Sequence, residues 1–128
     1  MSYYFSRTVQ TTFDDAANRV TEELKKEGFG VLTDIDVKDT LKKKLGIDFR
    51  RYRILGACNP NFAYQALQAE DKIGTMLPGS VIVQEVEGVG VEIAAIDPVA
   101  SMQAAKNPKL ESIAAQVRSK LKAAIYRL

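Results

Sequence analysis

Tyr52-Arg-Ile-Leu-Gly-Ala-Cys-Asn-Pro60 is the stretch on which the fold reading turns. Residues 52–58 are an apolar run with an aromatic start and a β-branched Ile54, the composition of a short strand. Asn59 and Pro60 then end it, because Asn is a favoured helix N-cap and Pro a favoured first helical residue. The chain is therefore expected to pass from strand to helix at this turn, with the helix running from Pro60 to about Ala69. The same device recurs at Asp97-Pro98 and Asn107-Pro108, so three helix starts share one local vocabulary.

Upstream, Tyr3 to Val9 is rich in aromatic and β-branched residues and reads as a strand. Thr12 offers an N-cap with Asp15 three residues on, and Phe13, Ala16, Ala17, Val20 and Leu24 fall at helical spacing before Gly28, a left-handed terminator. A helix over Phe13 to Glu27 follows. Val31, Thr33, Ile35 and Val37 alternate with Leu32, Asp34 and Asp36, the pattern of a half-covered strand. Asp36 or Asp39 is placed to cap a short helix in which Val37, Leu41 and Leu45 repeat every four residues on a core-facing side, with Gly46 at its end.

Downstream, Gly74 to Ser80 reads as a loop. Val81 to Val86 and Val89 to Ile96, joined through Glu87-Gly88, read as a hairpin. From Pro108 to the end, Leu110, Ile113, Ala114, Val117, Leu121, Ile125 and Leu128 hold one helical stripe. Strands and helices do not alternate strictly, so the pattern predicts a single α+β domain over residues 1–128 with helices mainly on one sheet face. A bare sheet face or edge needs cover, and self-association supplies it most simply, so a homodimer is expected.

The 128 residues, 46% of them hydrophobic, are enough for one domain with a substantial core. The chain has no His, which rules out a Ser-His-Asp or Cys-His triad within it and makes a zinc site a poor match. One cysteine cannot form an internal disulfide, and neither a signal-peptide core nor a membrane-spanning run is evident. A cytoplasmic protein with no membrane partner is the expectation.

Four segments carry a further resemblance: Gly28-Phe-Gly-Val-Leu-Thr-Asp-Ile-Asp-Val37, Leu41-Lys-Lys-Lys-Leu-Gly46, Tyr52 to Pro60, and Leu77-Pro78. Together they resemble the family catalogued as domain of unknown function 302, over nearly the whole chain. The resemblance implies a compact bacterial or archaeal domain with one curved, largely antiparallel sheet. Its arrangement would be β-α-β(4)-α-like, similar to the TATA-box-binding-protein type of fold and commonly packed as a dimer. Relatives often carry a second cysteine after the Leu-Pro pair, where this chain has Gly79, so chemistry needing two thiols is not implied. A fold shared with a DNA-binding protein implies no function, and the resemblance names no reaction and no cofactor.

Chemistry, if present, is expected around Cys58, Asn59 and Pro60. A thiol at a strand end before a helix start lies near free N–H groups and the positive end of the helix dipole, a placement that favours thiolate chemistry, with Arg51 or Arg53 as assistants. The plainer alternative is that Cys58 is a small buried hydrophobe. The same turn, with Asn59, Pro60, Asn61, Tyr52 and Arg53, is a candidate site for a small anionic molecule; the plainer alternative is that Asn59 simply caps its helix. Between residues 38 and 53 lie seven basic side chains (Lys38, Lys42, Lys43, Lys44, Arg50, Arg51, Arg53) against Asp39 and Asp48, interleaved with Phe49 and Tyr52. That mixture suits nucleic acid, but a net charge of +2 argues against it, and a solvated helix face has the same composition. Asp34 and Asp36 share a strand face and would serve acid-base work or a hard cation only with further ligands, so no metal site is expected. Met76 and Met102 read as core fillers.

Overall fold

The computed structural model describes residues 2–128. Strand β1 (Tyr4–Val9) leads to helix α1 (Phe13–Lys26), β2 (Gly30–Asp36) to α2 (Val37–Leu45), and β3 (Tyr52–Cys58) to α3 (Pro60–Ala69). A 3-10 turn (Asp71–Met76) then precedes the hairpin β4 (Gly79–Val86) and β5 (Gly90–Ile96), and the short α4 (Pro98–Ser101) precedes α5 (Pro108–Tyr126). The strands form one antiparallel sheet in the order β1-β5-β4-β3-β2. This is the α+β arrangement expected from the sequence.

The local signals act as predicted at most boundaries. Thr12 caps α1 by accepting from the Asp15 amide at 3.1 Å. Gly46 takes the left-handed conformation that ends α2, with φ of 66°, and all three X-Pro devices start helices. Segment 71–76, expected in part as loop, forms the 3-10 turn instead, with Ile73 buried beneath it.

Helices α1 and α5 cover one sheet face. Phe5, Leu55, Val81, Val83, Val91, Ile93 and Ala95 meet Phe13, Ala16, Val20, Leu24, Leu121, Ala124 and Ile125 there. Alternate residues point the other way: in register across the sheet run Ile54, Ile82, Ala94 and Ser6, and beside them Tyr52, Gln84, Glu92 and Thr8.

Two expectations fail at the sheet edge. Strand β2 is not half covered: it is an edge strand with no buried residue, and a register shift between Val31 and Thr33 breaks its alternation. Nor does α2 bury Leu41 and Leu45, since it has no buried residue and Leu45 is 66% exposed. Val31 alone packs against the core beside α1; the rest of β2, and α2 resting on β2 and β3, run beyond it, so their apolar spacing finds no closed layer.

Candidate functional site

The end of α1 builds one wall of the site. Gly28, with φ of 86°, lets the chain reverse so that its amide donates to the Lys25 carbonyl at 3.0 Å and the Phe29 amide to the Leu24 carbonyl at 2.9 Å. This paired closure brings the side chains of Phe29 and Leu24 together, and both are buried. It leaves the Glu27 carbonyl at the helix end needing a donor.

Asn59 supplies that donor. Its Nδ2 donates to the Glu27 carbonyl at 3.1 Å. The expectation that Asn59 caps its own helix is therefore corrected: it holds the N-cap position of α3 but makes no side-chain bond there, and it closes the C-terminal end of α1 instead. Pro60 has no N–H, and the Ala63 amide bonds the Asn59 carbonyl, so the first-turn amides of Asn61 and Phe62 are left without a side-chain cap.

Beside this junction lies a cavity of about 270 Å³. Its walls come from the ends of β3 and β4, from α3, from the 3-10 turn and its exit, and from α4 and α5. Phe29, just past α1, joins Cys58, Phe62, Met102, Ile113 and Val117 in lining it, and among the described residues no charged side chain does. The most exposed wall residues, Met76, Pro78 and Ser80, mark the mouth. An apolar cavity of roughly 150 Å³ suffices for benzene, so the space is large enough for a small organic molecule. Cys58 is partly exposed and lies on this wall, with no base or cation lining the cavity to activate it.

The model of the family described as "Domain of unknown function DUF302" matches residues 5–128. The chain belongs to the DUF302 family. It is similar to a solved structure described as an uncharacterized conserved protein DUF302 from Bacillus stearothermophilus, with a TM-score of 0.92 and 31% identity, over 99% of this chain and 98% of that one. No curated protein matches the chain. The resemblance expected from four short segments thus extends over essentially the whole DUF302 fold.

This DUF302 chain does not gather all the residues nominated from sequence. Cys58 and Asn59 line the cavity; Pro60 and Asn61 are exposed and do not. Tyr52 and Arg53 start the same strand that Cys58 ends, about 20 Å away at ~3.4 Å per residue. Tyr52 lines a groove on the helix-free sheet face with Tyr3 and Tyr4. Arg53 makes a two-pronged pair with Asp34, and that hydrogen bond, outweighing a lowering by burial and helped by the nearby carboxylates, holds its guanidinium above its ordinary value.

The basic segment is also largely committed. Lys42 pairs with Asp48 at 3.2 Å and Lys43 with Asp39 at 2.9 Å. Arg51 pairs with Asp14 at 2.7 Å and lies over Phe13, while Arg50 stacks on Phe49 and donates to Gln84 at 2.9 Å. Lys44 stands exposed on α2. Asp36 caps α2 by accepting from the Asp39 amide at 2.9 Å, so the two strand carboxylates serve a salt bridge and a cap.

Several cavity residues were not read as site residues from the sequence, among them Phe29 and Phe62, and Ile113 and Val117, which were read only as a helix stripe. They come from segments far apart in the chain, and only the Gly28 terminator hinted at where Phe29 would point. Met76 and Met102, read as core fillers, stand on the cavity wall.

Proposed function

We propose that this domain binds a small amphiphilic molecule, with its apolar part in the cavity and an anionic end at the uncapped first turn of α3. The observation that carries this reading is a cavity of about 270 Å³ with no charged side chain in its lining, next to a helix start without a side-chain cap. The apolar wall supplies the larger energy term, since each buried methylene is worth about 0.8 kcal/mol. The helix start supplies orientation, worth roughly 0.3–1 kcal/mol for a carboxylate.

Chain length then becomes the test. Lengthening hexanoate to octanoate adds two methylenes, about 1.6 kcal/mol, and tightens binding about 15-fold. Octylamine binds more weakly than octanoate, because the helix start repels a cation. Titration calorimetry measures both, and equal affinity for hexanoate and octanoate rejects the reading.

A second feature concerns assembly. Tyr4 and Ile35, exposed by 43% and 48%, flank Ile54, Ile82 and Ala94 on the sheet face that α1 and α5 leave bare. A second copy of the chain placed on this face would cover those side chains, giving a homodimeric domain, and the lone thiol suits a reducing cytoplasm. Native mass spectrometry at micromolar concentration is expected to show a dimer that Ile82→Glu converts to a folded monomer. A wild-type spectrum containing only monomer rejects the dimer.

A further inference from the structure

The cavity separates two hydrophobic clusters. The larger is the sheet-helix core, which reaches the cavity through Phe29, Ala57 and Leu121. The smaller consists of Ala66, Ile73, Leu110 and Ile113, with Phe62, Leu77 and Met102 packed against it. Val117 of α5 packs against both.

The unit formed by α3 and the 3-10 turn is held chiefly from one side. These two elements pack on each other, and α3 packs on α5. Two side chains pin α3 at its ends: Asn59, itself on the cavity wall, bonds the Glu27 carbonyl, and Asn107 Nδ2 donates to the Ala69 carbonyl at 2.9 Å. Within α3 and the 3-10 turn only Ala66 and Ile73 are buried, and 3-10 hydrogen bonds have poorer geometry than α-helical ones.

We infer that the cavity is a seam in the core, and that the bound molecule is the layer joining residues 60–77 to the sheet-helix body. Atoms lining a gap lack the dispersion contacts a filled core would give them. Segments with few buried contacts open locally at low free energy, independently of global unfolding. Residues 60–77 therefore loosen to admit the molecule and tighten once it touches both walls, while the hairpin and α1 keep their own packing throughout. The identity of the occupant rests on the binding reading above; the seam itself does not.

Hydrogen exchange of the full chain, read by mass spectrometry, tests this in two arms. In the first, saturating octanoate slows exchange in residues 60–77 by about tenfold or more, with under about twofold change in β4 and β5. In the second, no ligand is added, and Ala63→Leu fills the seam from α3 while Ala114→Val fills it from α5. At least one filled variant reproduces the local slowing. Slowing spread evenly over the chain in either arm, or no slowing of residues 60–77 in both filled variants, overturns the seam. If octanoate fails to bind while a filled variant slows residues 60–77, the seam stands and the amphiphile reading falls.

Discussion

Replacing Asn59 by Asp separates the capping role read from the sequence from the role the structure gives this residue. Asp and Asn are about equally good N-caps, so a residue serving α3 would tolerate the exchange at no cost. In the structure, however, the Asn59 amide nitrogen donates to the Glu27 carbonyl at 3.1 Å, and a carboxylate has no proton to give. The lost bond is worth about 1 kcal/mol, and the part-buried carbonyl left behind adds roughly 1 kcal/mol more. A carboxylate that swung onto the α3 amides would recover up to about 1 kcal/mol. The net loss is therefore about 1–2 kcal/mol. At ~2.1 cal/mol/K per residue, 128 residues give an unfolding entropy of about 0.27 kcal/mol/K. Scanning calorimetry should then find Tm lowered by about 4–7 °C. A Tm within about 1 °C of wild type would show that the bond to Glu27 contributes nothing and that the α1–α3 junction is misassigned.

Gly56→Ala is expected to destabilise by about 1–3 kcal/mol in urea unfolding, because a Cβ there would lie 2.1 Å from Thr33 Oγ1 and 2.7 Å from Pro78 Cγ. Thr33 can rotate away but the proline ring cannot, so adding Thr33→Ala should restore only part of the loss. Arg118→Leu removes the guanidinium that donates to buried Asp97 at 2.9 Å. About 1–2 kcal/mol is expected in the same assay, since Arg118 is itself part-exposed. Glu23 is held below its ordinary carboxylate value, first by its hydrogen bond to Lys26, which outweighs an opposing burial penalty, and then by Arg127. Its folded pKa is the lower one, so its contribution is fully present above the unfolded value of about 4.5 and is lost as pH falls through the folded value. Below pH 4.5, exchange protection relative to the intrinsic rate should fall at the C-terminal turn of α5 before it falls in the sheet, and Glu23→Gln should weaken that pH dependence.

Much of the fold is legible because its boundaries are chemical. Asn59-Pro60, Asp97-Pro98 and Asn107-Pro108 start helices wherever they occur, and Gly28 and Gly46 supply left-handed conformations that other residues resist. Periodicity fails where it must specify a partner. Leu41 and Leu45 repeat at helical spacing, and Val31 to Val37 alternate, but neither pattern says how far a neighbouring layer will reach, and at the β2 edge it reaches only Val31. The site was half legible for the same reason. The Cys58-Asn59 turn was found because it is local; the cavity was not, because Phe29, Phe62, Ile113 and Val117 meet only after α3 and α5 pack. Asn59 was assigned to the wrong helix because its sequence position favours α3, while the open carbonyl it serves lies 32 residues upstream at Glu27.

The most direct test of the account is a crystal structure of the protein soaked with octanoate. The alkyl chain should lie between Phe29 and Val117 with its carboxylate at the first turn of α3, on the Phe62 side. Density for octanoate on the bare sheet face instead, or an unchanged cavity at saturating ligand, would contradict it.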